Sequence, residues 1–164
     1  MLYYFRRSVL LLLLCLSLVS CQRGDKSPSP VAAPPQGDWS SPVAAVTTFY
    51  KAVAEEKFDV AWWSLSQASQ EKFIEGLVDE AKISPFDARR YFEQNDPALR
   101  RGFWKSFRES SKIPTMMSEA KFQLLSAAEN RAQVQVISGS TTLENVAVKE
   151  GSQWRMGFVE TFMK

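Results

Sequence analysis

The chain has 164 residues, 45% of them hydrophobic and 12% aromatic, which is enough apolar material for one folded domain. It contains no histidine, which excludes Ser-His-Asp and Cys-His catalysis and histidine metal sites. Its two cysteines, Cys15 and Cys21, are too few for a thiolate metal cluster. Of the 20 basic residues, only Arg6 and Arg7 precede Cys21, and the remaining 18 balance 18 acidic residues. A domain without net charge has no broad attraction for nucleic acid, so none is predicted as a partner.

The first 20 residues have the pattern of an export signal. The two arginines precede an apolar run over residues 9–16, which is shorter than the roughly 20 residues that span a bilayer. The run leads to Leu18-Val19-Ser20-Cys21, which resembles the lipobox of bacterial lipoproteins. The resemblance implies cleavage between Ser20 and Cys21, a diacylglycerol on the sulfur of Cys21, and in many bacteria an acyl chain on its amino group. The alternative is an ordinary signal peptide with an unrelated cysteine, but such peptides end in an A-x-A-like site that this leader lacks.

The same resemblance implies a location in the cell envelope. Two or more acyl chains hold a protein stably at a membrane, whereas one chain binds marginally. Lipoproteins of Gram-negative bacteria with Asp directly after the cysteine tend to stay in the inner membrane, so Gln22 favours the periplasmic face of the outer membrane. Residues 21–41 are predicted to be the lipidated cysteine and a flexible linker rich in Pro and Ser. The folded domain is predicted over residues 42–164.

Helical periodicity extends over residues 42–112. Ser41 and Pro42 are predicted to be the N-cap and first position of a helix. Its apolar stripe consists of Val43, Val46, Phe49, Tyr50 and Val53. Further helices are predicted to begin at Lys57, Ser69, Ser84-Pro85 and Asp96-Pro97, and Pro114 is predicted to end the last of them.

The apolar period then changes to two, which predicts strands within residues 118–162. Alternation is regular at 122–124, 132–136 and 154–158. In the stretch 141–149 it changes phase near Glu144-Asn145, where a β-bulge is expected. Because turn residues separate these stretches, the sequence predicts an α+β fold in which N-terminal helices pack on a curved, four-stranded antiparallel meander.

Helices followed by such a meander resemble the cystatin-like cone of the nuclear-transport-factor-two-like superfamily. The segments 41–53 and 58–62 are similar to the opening helices of small bacterial lipoproteins with this domain, although Glu56-Lys57 stands where members usually have Gly-Asp. The resemblance implies a pocket between helices and sheet, used for small ligands, for dimerisation or, in some members, for catalysis.

Three groups of residues are candidates for function. Tyr50 and Asp59 lie near the helical lining and are the side chains that an isomerase- or hydratase-like enzyme would use, although a core tyrosine and a carboxylate at a helix start are common structural features. Trp63 follows the core residue Trp62 and is predicted to be exposed or to line a cleft as a binding anchor. The basic and aromatic run 89–112 is typical of a solvated amphipathic helix face, or of a surface that contacts peptidoglycan or lipid.

The sequence therefore favours a non-catalytic, lipid-anchored envelope protein whose domain binds a small apolar ligand or a partner protein, with a homodimer among the options. The alternatives are a pocket enzyme that uses Tyr50 and Asp59, and a structural lipoprotein that contacts peptidoglycan or lipid through its basic helices. We assign no catalytic residue, no metal, and no cofactor apart from the covalent lipid on Cys21.

Overall fold

The computed structural model describes residues 35–94, 96–97 and 100–163. The predicted leader, the lipid-attachment residue Cys21 and most of the predicted linker lie outside these residues. The described part is an α+β domain in which helices precede an open, four-stranded antiparallel sheet, as the sequence predicts. None of the described helices has the length and hydropathy needed to cross a bilayer.

The elements follow in chain order. The helices are α1 (Pro42–Ala54), α2 (Phe58–Ser64), α3 (Gln67–Ala81), α4 (Pro85–Glu93), a π-helical turn (Arg100–Trp104), α5 (Lys105–Ser110) and α6 (Ile113–Met117). The strands are β1 (Lys121–Ala127), β2 (Arg131–Ser138), β3 (Thr141–Glu150) and β4 (Gln153–Gly157), and a short helix α7 (Phe158–Phe162) ends the domain.

Serine N-caps fix the starts of three helices. Ser41 accepts a hydrogen bond from the backbone of Ala44, and Ser84 accepts one from Asp87, at the positions that the sequence predicts. The third helix begins at Gln67 and not at Ser69, because Ser66 is its cap and accepts from the backbone N–H of Ser69. Ser69 therefore lies within the first turn, where its side chain is free to contact another element.

Two predictions, one about the end of a helix and one about the end of the sheet, were wrong. Pro114 does not end the preceding helix, which stops at Ser110, but lies in the first turn of α6, where its missing N–H costs nothing. The segment from Phe158 is helical, so the sheet ends at Gly157 and not near residue 162.

The strands form a simple meander in the order β1-β2-β3-β4, with each neighbouring pair antiparallel. The phase change at Glu144-Asn145 is not a bulge, since β2 and β3 pair without a shift from Arg131 to Ser138. A buried Asn145 on the helix-facing side breaks the apolar alternation there. The bulge lies in β1, where the register shifts between Leu124 and Ser126.

The core lies between the helices and one face of the sheet. Val46, Phe49 and Val53 of α1 are buried against it, as the predicted stripe requires. Trp62 of α2 is fully buried and stacks on Phe92 of α4, with ring centroids 4.3 Å apart. The π-helical turn buries Trp104, which stacks on Phe58 of α2. Stacked pairs of aromatic rings thus occupy the space between α2, α4 and the π-helical turn.

Candidate functional site

Tyr50, a candidate pocket residue and the side chain that the alternative enzyme hypothesis would use, is buried in the core. Its hydroxyl donates a hydrogen bond of 2.7 Å to Oδ1 of Asn145, which is fully buried on β3. This contact joins the first helix to a central strand across 95 residues of sequence. Two polar side chains that would each be costly to bury alone satisfy each other here.

Burial also determines the ionisation of Tyr50. Removal of the hydroxyl from water raises its pKa well above the ordinary value of 10.0, and the hydrogen bond to Asn145 only partly opposes this rise. A general base or acid works best with a pKa near the operating pH and with its proton within reach of a substrate. Tyr50 has neither property in this arrangement.

Asp59 and Trp63 do not join Tyr50 in one site. Asp59 lies in the first turn of α2, where a carboxylate is stabilised by the helix dipole, and it makes no hydrogen bond or ion pair with any other described residue. Trp63 is partly buried and packs against the same hydrophobic core that contains Tyr50, so it is not an exposed anchor.

A buried polar cluster that sequence reasoning missed connects α3 to the end of the chain. The hydroxyls of Ser66 and Ser69 are 2.7 Å apart, and Ser69 Oγ accepts hydrogen bonds from the backbone of Phe158 and Val159. The carboxylate of Glu160 lies 3.3–3.4 Å from both serines. Because both serines are fully buried and Ser69 already serves two amides, the cluster is a structural link. No sequence signal indicated this cluster, because its serines have the pattern of ordinary helix-capping residues.

Four basic residues of the run 89–112 are paired with carboxylates. Arg89 contacts Glu71 and Glu93, and Arg90 lies 3.7 Å from Asp87. A second group surrounds Glu56, where Lys105 and Arg108 each approach its carboxylate at 3.8 Å. The side chains of Arg100 and Arg101 lie outside the described residues. Pairing reduces the positive field that peptidoglycan or anionic lipid would meet.

The β4 edge of the sheet is covered by two segments of the chain, one before α1 and one after α2. The backbone N–H of Trp154 on β4 donates to the carbonyl of Trp39 at 2.9 Å, and Ser66 donates to Met156 at 2.8 Å. The ring of Trp39 is itself buried: its Nε1 donates to Ser64 Oγ at 3.1 Å, and the guanidinium of Arg155 lies 4.3 Å from the ring centroid. The β4 edge therefore has little backbone left to pair.

The large apolar side chains that remain exposed lie elsewhere. Among the described residues they are Phe86 on α4, 73% exposed, and Leu124 and Leu125 on β1, 48% and 43% exposed. β1 is the other edge strand of the sheet. Exposed apolar groups of this size next to unpaired backbone are typical of surfaces that bind another chain.

The described residues contain no group of three or more His, Cys, Asp or Glu that could hold a metal ion. No protein-family model and no curated protein sequence matches this chain.

Proposed function

We propose that this chain is a lipid-anchored protein of the bacterial cell envelope whose domain binds a partner protein at its surface and does not catalyse a reaction. The leader and Leu18-Val19-Ser20-Cys21 support the anchor, with Cys21 as the lipid-bearing residue and Gln22 favouring the outer membrane. The lipid would hold the domain at the bilayer without a membrane-spanning helix.

The hydrogen bond between Tyr50 and Asn145 carries the choice of binding over catalysis. It occupies the side chain on which the enzyme hypothesis depends, and it does so where water is excluded. Asp59, the second residue of that hypothesis, lies in the first turn of α2 and makes no hydrogen bond with Tyr50. A catalytic site needs its acid, base and orienting partner within mutual reach, which this pair does not provide.

The distribution of apolar side chains favours a protein partner over a small apolar ligand. Stacked rings occupy the space between α2, α4 and the π-helical turn, whereas Leu124, Leu125 and Phe86 are exposed. Exposed apolar side chains on a rigid edge strand and at a helix start can bury area against another protein. The hypothesis of contact with peptidoglycan or lipid is weaker, since four basic residues of the run 89–112 are paired with carboxylates.

The anchor is tested with Cys21→Ala and, as a matched control, Cys15→Ala in the leader. Cells are grown with an alkyne-labelled fatty acid, and the protein is then examined for label and for mass. We expect Cys21→Ala to lose the label and keep the 20-residue leader, and Cys15→Ala to behave as the unchanged chain. Label on Cys21→Ala would refute the lipid anchor.

Surface binding is tested by placing a photo-crosslinking residue at Leu124, at Phe86 and, as a control, at Gln133 on the solvent-facing side of β2. We expect protein adducts from Leu124 or Phe86 and none from Gln133. Adducts at none of the three positions, from a chain that is folded and labelled with lipid, would refute binding through these surfaces. Tyr50→Phe should leave the adducts unchanged, since Tyr50 has a structural role here.

A further inference from the structure

The open β1 edge has a definite backbone pattern. Ala128 donates its N–H to the carbonyl of Arg131 at 2.7 Å, so Arg131 turns its backbone toward β1. In an antiparallel sheet every second residue of a strand faces the same neighbour, so Gln133, Gln135 and Ile137 also turn toward β1. On the other side of β2, Lys149 donates to the carbonyl of Asn130, as this alternation requires.

Lys121 and Gln123 pair with Ile137 and Gln135, so their backbone groups face β2. Phe122 and Leu124 must then point their N–H and C=O groups away from the sheet. Among the described residues, no hydrogen bond outside the β1–β2 pairing involves these groups. Their side chains lie on the helix-facing side, because they pair with the buried Val136 and Val134. The open edge thus combines free backbone groups with apolar side chains.

We propose that this edge joins two copies of the chain, through antiparallel pairing of β1 with β1 about a two-fold axis at Phe122. This inference rests on the proposed function, because it names the partner of the exposed surface. In this register Phe122 lies opposite Phe122 of the second copy, and Ala120 lies opposite Leu124. The four strands of each copy then continue into one sheet of twice the width.

The backbone pattern selects this register. Residues with free groups must face each other, and in β1 before the bulge these are Phe122 and Leu124. Ala120, the residue before the strand, is the position that comes opposite Leu124. The bulge at Leu125 ends the regular edge, so an axis at Phe122 pairs the whole of Ala120–Leu124. An axis further along the strand would leave fewer residues paired before the bulge. Bulges commonly end pairing at sheet edges in this way.

A second copy fits the charges and side chains of this edge. The chain after Cys21 carries no net charge, so two copies do not repel each other over distance. The proposed register puts apolar side chains opposite apolar ones, and Lys121 opposite the neutral Gln123. Like charges directly opposite each other, which destabilise strand pairs, are avoided.

The size of the contact fits copies that share a membrane. Pairing of about five residues a strand buries less than the roughly 1,200 Å² of a specific stable interface, so the dimer should dissociate in dilute solution. Lipid anchors on one bilayer would raise the effective concentration of the two edges. The linker enters the domain at Trp39 beside β4, about 14 Å across the sheet from β1 at a spacing of about 4.8 Å a strand. Trp39 itself pairs with β4 and not with the β1 edge.

Cysteine pairing in membranes tests the register. Lys121→Cys and Gln123→Cys chains with different tags are expressed together and oxidised. Opposite residues of this type have Cα atoms about 4.5 Å apart, which suits a disulfide. We expect at least fivefold more disulfide between the two tagged chains than between Gln133→Cys and Gln135→Cys chains, which have the same spacing on β2. The unchanged chain reports any background from Cys15 or Cys21.

Leu124→Pro should abolish the disulfide between the 121 and 123 positions. The N–H that it removes faces the open edge, so the pairing of β1 with β2 keeps its hydrogen bonds. If the proline variant does not fold, Leu124→Lys serves instead, and we expect it to lower the disulfide yield at least tenfold. A yield that neither folded variant changes would overturn the proposal.

Other outcomes separate this inference from the proposed function. Disulfides at 121 and 123 to a different protein would overturn the second copy as occupant and leave surface binding intact. A yield no greater than the β2 control would also overturn it, whatever the lipid label shows. Absence of label on a chain that still forms the 121–123 disulfide would refute the anchor and leave the edge contact standing.

Discussion

The two edges of the sheet have the same kind of backbone and opposite surroundings. At the β4 edge, Trp39 and Ser66 come from distant parts of the chain and pair with Trp154 and Met156. At the β1 edge nothing described pairs with the outward groups, and Leu124 is exposed. An edge strand leaves a row of backbone N–H and C=O groups without partners in the sheet. Other segments of the chain supply such partners at the β4 edge, and no described segment supplies them at the β1 edge. Intramolecular pairing closes the β4 edge, whereas no described residue closes the β1 edge.

Replacement of Trp39 should have the largest effect, because it uncovers the closed edge. Trp39→Ala removes a buried ring, its hydrogen bond to Ser64 and its contact with Arg155. We expect a loss of about 3 kcal/mol in the free energy of unfolding, measured by urea denaturation. Trp39→Phe keeps most of the ring and should lose less. If both variants lose under about 1 kcal/mol, Trp39 does not hold this edge.

Tyr50→Phe tests the link between α1 and the centre of the sheet, midway between the edges. It leaves the buried Oδ1 of Asn145 without its donor, so we expect a loss of about 2 kcal/mol in the free energy of unfolding. A second variant, Tyr50→Phe with Asn145→Leu, should recover part of the loss, since both polar groups are then gone. Equal stability of Tyr50→Phe and the unchanged chain would contradict the structural role.

Alkaline pH should weaken the same link without a substitution. Burial raises the pKa of Tyr50 in the folded state, whereas in the unfolded chain it ionises near its ordinary value of 10.0. The stabilisation is thus complete below pH 10 and declines as the pH rises above it, because the unfolded state then releases a proton that the folded state retains. Between pH 9 and 11 the chain should lose about 1 kcal/mol more than Tyr50→Phe, by urea denaturation at each pH. Parallel pH curves would contradict this assignment.

Leu124→Thr should have the smallest effect on the isolated domain, because the side chain is half exposed at the open edge. We expect a change within about 0.5 kcal/mol in the free energy of unfolding, typical of surface substitutions. The same variant should reduce pairing between copies, measured by the disulfide yield at 121 and 123. A loss of 2 kcal/mol or more would mean that this edge is already covered within one chain.

Much of the fold could be predicted because its signals are local. A serine cap is recognised within a few residues of sequence, as at Ser41 and Ser84. Strand alternation is recognised by comparing each residue with the one two positions later. The errors arose where distant contacts decide. Asn145 interrupts an apolar pattern because its partner Tyr50 lies on another element, and sequence alone gave that interruption the appearance of a bulge.

The candidate site was harder to predict for the same reason. Tyr50 was recognised as a residue of the helical lining, but its role depends on Asn145, which no spacing relates to it. Trp39 carried no signal, since it precedes the first helix within a segment predicted to be linker. The indole gains its function only from the positions of Ser64 and Arg155.

The sequence by itself determined the helix starts at Ser41 and Ser84, the change from helical to strand periodicity, the absence of histidine chemistry and the prediction of a lipid on Cys21. These follow from composition and from contacts within a few residues. Only the tertiary structure decided that Tyr50 is paired and buried, that Trp39 pairs with the β4 edge, and that no described residue pairs with the outward groups of β1. The backbone groups of an edge strand find partners only if a distant segment of the chain lies beside that strand. Neither the residue types of the strand nor its apolar period predicts which segment that is.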